Sequence, residues 1–169
     1  MSELIYNQTK IPKEQWRYGL RTSAATGCGW IATYNALHLM GYEPNAEELI
    51  RYYERQLPII HGNAGTHIQA PARFFRHHGF SVQTLSDTEK FDAAAKDAHV
   101  CIVFYYWRKK FKFGAHFVTV RYSDGKFIGY NTYRTSEGAD DYGTSLEKYL
   151  KKCGFFMPFL IAIKDKRSA

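Results

Sequence analysis

From Cys28 to Gly41, the apolar residues Ile31, Ala32, Ala36, Leu37, Leu39 and Met40 fall on almost every side of a helical projection. A helix that is apolar all round has no face to give to water, so the pattern predicts a central, buried helix over 28–40. Gly41 can take the left-handed conformation past the last turn, and Pro44 forbids continuation. Two further helices are expected in this half. One is opened by an Asn45/Glu48 capping box and ends near Gln56, ahead of Pro58; the other is capped by Thr66, carries Ile68, Ala72 and Phe75 at helical spacing, and stops at Gly79. A glycine-containing loop over 60–65 joins them. Short strands are expected at 4–8 and 80–85, and a short helix should run from a Ser86/Glu89 capping box to about Asp97.

Beyond residue 98 the period changes. Residues 99–106 form a β-branched and aromatic run of strand length, apolar in the middle and so central in a sheet. A basic loop should follow. Residues 115–122 and 126–131 flank Ser123-Asp124-Gly125, a strong hairpin signal. Thr144 with Glu147 predicts a helix to about Lys152, and 155–163 reads as a last strand in which Pro158 marks an edge or a bulge. Helices first and antiparallel strands second give an α+β fold, expected as one domain over 1–169, with a central N-terminal helix packed on a mostly antiparallel sheet.

Hydrophobic residues make up 45% of the chain and aromatics 17%, enough to exclude a disordered chain and to make aromatic area dominate the core. No basic, apolar and small-residue leader pattern opens the sequence, and no stretch is long and apolar enough for a membrane span, so a cytoplasmic protein without a membrane partner is expected. Three cysteines are too few and too odd a set for a disulfide framework. The net charge of +7 favours anionic partners, but the cations follow no nucleic-acid motif, and no nucleic-acid partner is expected. A structural zinc assembled from His61, His67, His77, His78 and Cys101 lacks paired Cys-x-x-Cys spacing, so neither metal nor cofactor is expected.

The chemistry centres on Cys28 at the start of the buried helix. Unpaired amides and the helix dipole favour an anion there, and a thiol so placed beside a cation drops to roughly 3.5–7.5. Gly27 and Gly29 would leave the sulfur uncrowded and let another backbone or a substrate come close; the competing interpretation is a small buried cysteine packed at a helix start. A cysteine nucleophile also needs a base and a group to orient it. His116 is expected to open a hairpin strand directly after Gly114-Ala115, and its neighbour strand ends at Asn131, close enough to hold the imidazole; an ordinary hydrogen-bonded histidine is the alternative.

Tyr6-Asn7-Gln8, Trp16, Tyr18-Gly19, Gly27-Cys28-Gly29, Gly65-Thr66, Ala115-His116-Phe117-Val118 and Tyr130-Asn131 resemble, in order and spacing, the bacterial papain-fold cysteine peptidases related to double-glycine leader (bacteriocin-processing) peptidases. The resemblance implies a papain-like fold, with Cys28 as nucleophile, His116 as general base and Asn131 as its orienting residue. It also implies Gln8 as oxyanion donor together with the Cys28 amide, with Gln15 as a second candidate for that role. Trp30-Ile31 stands where the family commonly has Pro-Thr, and Asn131-Thr132 where it often has Asp-Pro. The substrate so implied is a peptide or protein, hydrolysed at a peptide or isopeptide bond. An acyl transferase or amidase of the same fold would use the same thioester, and a catalytically silent papain-like domain would only bind. Arg108, Lys109, Lys110 and Lys112, interleaved with Trp107, Phe111 and Phe113, end three residues before His116 and would favour an acidic substrate if that loop faces the cleft.

Overall fold

A computed structural model describes residues 3–55 and 66–168, so the loop expected over 60–65, His61 included, lies outside the described residues. The first strands form a short antiparallel pair, β1 (Arg17–Tyr18) and β2 (Arg21–Thr22). The helices α1 (Ser23–Thr26), α2 (Cys28–Leu39), α3 (Ala46–Arg55) and α4 (Ala70–His77) follow. Strand β3 (Ser81–Leu85), helix α5 (Phe91–Asp97), and strands β4 (Val100–Lys109), β5 (Lys112–Ser123), β6 (Lys126–Tyr130) and β7 (Asp140–Gly143) come next. Helix α6 (Leu146–Lys152) and strand β8 (Phe156–Lys164) complete the fold. The main sheet has the order β3-β8-β4-β5-β6-β7 and every neighbouring pair is antiparallel.

Both faces of this sheet are covered. Helices α2, α3 and α4 bury Trp30, Tyr53 and Phe75 against Ile102, Phe117 and Ile161 on one face. On the other, Phe91 of α5 and Leu146 and Leu150 of α6 pack on Val103, Val118 and Phe127. Successive residues of β4 and β5 thus enter different cores, and a strand with no wet face reads as an unbroken apolar run. Helix α2 is buried throughout 28–36, as its all-round apolar pattern requires, and Gly41 follows it with φ +87°.

Several local expectations shift. Residues 4–8 are not a strand. The amide and carbonyl of Ile5 instead pair with the side chain of Asn35 on α2, both at 2.8 Å, so a buried amide group stands in for a neighbouring strand. A 3₁₀ turn follows over Gln8–Lys10, capped by Asn7. Thr66 does not cap α4, which starts four residues later with Pro71 in its first turn; its hydroxyl bonds the Tyr18 hydroxyl at 3.0 Å. Caps expected at Ser86 and Thr144 fall one residue on, at Asp87 and Ser145. The carboxylate of Asp92 on α5 takes the amides of Leu146 and Glu147, which sets where α6 begins. Pro158 does lie at a bulge, where β8 loses register opposite β4 and Met157 adopts φ +48°. The expected basic loop is a hairpin extension: β4 and β5 stay paired out to Lys109↔Lys112. Among the described residues no helix is long and apolar enough to cross a membrane.

Candidate active site

Helix α1 leads into α2 through Gly27, whose amide still bonds Ser23 O at 2.9 Å. A side chain at Gly27 would sit 2.6 Å from Ser23 O and from Trp30 Nε1, and one at Gly29 would collide with Thr66. The glycines flanking Cys28 therefore admit close approach of the protein itself: the Ser23 main chain at Gly27, as the backbone alternative anticipated, and the Thr66 side chain at Gly29, so the surroundings are not the uncrowded ones expected.

The Cys28 thiol is buried, and burial pushes it above its ordinary value; the amides of Phe117, Gly29 and Cys28 itself pull the other way. The expected acidic thiol is thus reversed. Helix-start amides act in the anticipated direction, but no cation contributes, and desolvation outweighs the amides. Of the other two thiols, Cys101 is buried and pushed far up by desolvation, whereas Cys153 is exposed at the end of α6.

His116 lies four residues inside β5 and does not open it. The last pair between β5 and β6 is Thr119↔Tyr130, so the strand edge from 118 back to 112 has no β6 partner. Along that edge the amide of Phe117 turns to the Cys28 thiol. His116 Nε2 lies 2.6 Å from the main-chain carbonyl of Asn131. A carbonyl only accepts, so Nε2 carries the proton and Nδ1 keeps a lone pair. Burial lowers the His116 value, the Asn131 carbonyl raises it, and the charge of Arg134 lowers it further. Both shifts favour the neutral forms of cysteine and histidine.

Asn131 is buried in the left-handed region at φ +61°, which asparagine tolerates better than most side chains. That conformation sends its carbonyl to His116 and its side chain elsewhere. Asn131 Oδ1 accepts from the Gln8 amide at 2.8 Å, and Asn131 Nδ2 donates to Gln8 Oε1 at 3.0 Å. The expectation that the Asn131 side chain holds the imidazole is corrected: the main chain does. Gln8 Nε2 donates to Ala24 O at 3.1 Å, one helical turn before Cys28, and its second proton has no partner among the described residues. Gln15 is exposed in a turn closed by its own amide on Pro12 O. Asn7 Nδ2 ties the same segment to Arg134 O at 2.7 Å and Ser136 O at 3.2 Å.

The structure joins His116, Asn131 and Gln8 by hydrogen bonds, sets the Cys28 thiol against the amide of Phe117, the residue after His116, and leaves Gln15 outside. The Phe117 amide, the Asn131 and Ala24 carbonyls and the Arg134 charge escaped sequence reasoning. Three of these are main-chain groups with no residue signature. Among the described residues no three His, Cys, Asp or Glu side chains could hold a metal ion. A cavity of about 590 Å³ lined by Leu37, Tyr42, Tyr52, Phe74 and Phe80 lies at the opposite end of α2 and takes no part in the network.

No protein-family model and no curated protein matches the chain. Solved structures do. The peptidase domain of Streptococcus ComA, a bi-functional ABC transporter involved in a quorum-sensing pathway, aligns with a TM-score of 0.53 and 11% identity, over 82% of this chain and 92% of that one. A double-glycine motif protease from an AMS/PCAT transporter, solved in complex with the leader peptide, aligns with a TM-score of 0.56 and 12% identity, over 92% and 96%. At such identity the likeness shows the fold: this chain has the papain-like fold of double-glycine peptidase domains.

Proposed function

We propose that the protein is a cysteine peptidase in which Cys28 is the nucleophile, His116 the general base, Asn131 its positioning residue through the main chain, and Gln8 an oxyanion donor. The observation that carries this is the His116 Nε2 bond to the Asn131 carbonyl at 2.6 Å, which leaves a basic nitrogen on the residue next to the amide that holds the Cys28 thiol. Nδ1 takes the thiol proton as sulfur attacks the substrate carbonyl. The oxyanion is met by the free proton of Gln8 Nε2 and the Cys28 amide. Collapse passes the proton from His116 to the leaving amine and forms a thioester. Water, deprotonated by His116, then releases the acid and the thiol.

Because burial favours the neutral thiol and the neutral imidazole, proton transfer accompanies attack. The fold neighbour solved with a leader peptide supports a peptide substrate, and a double-glycine leader is the first to test. No charge preference is included: strand geometry places Lys112 about 13 Å from His116. Three free cysteines fit a reducing, cytoplasmic setting.

The buried thiol favours one rival, a domain that binds peptide without turnover. A peptide fluoromethyl ketone separates the two. The proposal expects labelling at Cys28, lost in His116→Ala, and amine release from the matching peptide amide. Peptide binding with neither label nor turnover would establish the rival. Adding hydroxylamine distinguishes an acyl transferase, which would divert most product to the hydroxamate.

A further inference from the structure

Past Tyr106↔Phe156 on one side and Thr119↔Tyr130 on the other, β4 and β5 pair only with each other, so residues 107–113 project as a two-stranded arm. Its apex, Lys110-Phe111, contradicts hairpin chemistry. A two-residue turn prefers Asn-Gly or Asp-Gly, yet here Lys110 takes φ +50° and Phe111 is fully exposed. Beside the arm, at the β8 bulge, Met157 is also left-handed at φ +48° and 72% exposed, and Phe113 is 65% exposed. Such strain and exposure cost stability and need a compensating role.

The charges point the same way. Arg108, Lys109, Lys110 and Lys112 are exposed, and none has a carboxylate partner among the described residues; the ion pairs there use Lys90, Lys126, Lys164 and Arg167. An apolar apex ringed by unpaired cations matches an interface that is anionic at its surface and apolar beneath. Nucleic acid fits less well. The ring of Tyr106 stacks on those of Phe113 and Phe156 at 5.6 and 5.8 Å, so these faces are partly taken up within the protein, and Met157 offers no stacking face.

We propose that this arm docks the protein on an anionic membrane surface, Phe111 entering the headgroup boundary, Phe113 and Met157 resting at its edge, and the four cations meeting lipid phosphates. The proposal is independent of the peptidase assignment. It revises the expectation of no membrane partner, which rested on the lack of a spanning segment.

The test is sedimentation of the full chain with phosphatidylcholine vesicles with and without phosphatidylglycerol. Binding is expected only to the anionic vesicles. Replacing all four cations by Ser should weaken it about a hundredfold or more, and Phe111→Ser about tenfold. All five side chains face solvent, so the unfolding midpoints should match the parent chain. Phe111→Trp adds a direct reading, a blue shift of emission on anionic vesicles. The proposal is overturned if the parent chain ignores anionic vesicles. It is equally overturned if Phe111→Ser binds unchanged, which means surface charge alone, or if oligonucleotide or polyglutamate binds where vesicles do not.

Discussion

Strand β5 has two halves with different company. From Thr119 to Ser123 it runs beside β6 and ends in a turn at Asp124 and Gly125, both left-handed, as hairpin chemistry requires. From Lys112 to Val118 that side has no strand, and the Phe117 amide, the His116 ring and the strained arm all lie there. The half with a complete ladder follows local rules. The half without one exposes main-chain groups and side chains that can be turned to chemistry, and it is where local rules fail.

The largest expected effects would break this contrast if they failed to separate. His116→Ala should lower peptide turnover by about 10²–10⁴ with little change in unfolding midpoint. Val120→Ala, in the other half, should cost about 1–3 kcal/mol of stability with turnover per folded molecule unchanged. If both variants lose both properties, the halves are not distinct.

Next come the residues that complete the open edge. Gln8→Ala should lower the rate about 10²–10³ with little change in KM. Asn131→Gly keeps both the carbonyl and the left-handed backbone, so it should lose no more than Gln8→Ala does. The double variant should show strong non-additivity. A much larger loss in Asn131→Gly would return the orienting role to the Asn131 side chain.

Smaller still are the pH effects. His116 acts as a base only when neutral, and its value is held below 6.5, so the acid limb of kcat/KM should fall below that pH. A raised thiol value means less thiolate at any given pH. Iodoacetamide should therefore modify exposed Cys153 first near neutrality, Cys28 increasingly as pH rises, and Cys101 not at all in the folded chain. Prior labelling of Cys28 at mildly acidic pH would contradict its burial. The smallest effect belongs to the regular turn: Gly125→Ala at φ +80° should cost about 1 kcal/mol and leave turnover intact.

What was legible in the sequence follows the same division. Helix α2 announced itself because apolar residues on all sides admit only burial, and Asp124-Gly125 because a tight turn needs left-handed residues. The caps were misread by one position because Ser86 and Asp87, or Thr144 and Ser145, are chemically interchangeable; for α6, contact with Asp92 helps decide. Residues 4–8 carried a strand signal, but their partner was a side chain thirty positions away, which no local pattern encodes. At the site, the residue types Cys28, His116, Asn131 and Gln8 were readable. The acting atom of Asn131 was not, since every residue owns a carbonyl, and neither was the thiol's shift, which depends on what finally buries it.

The sheet order also constrains how the chain can be made. Strand β8 lies between β3 and β4, pairing Ser81 with Lys164 and Cys101 with Ala162. During synthesis from the N-terminus, β3 and β4 therefore emerge long before the strand that joins them, and the slot between them stays open until residues 156–164 have left the ribosome. Until then the facing edges of β3 and β4 are unpaired, a state that invites mispairing with a neighbouring nascent chain. A chain stopped before Phe156 would keep that slot permanently, however complete its cysteine and histidine.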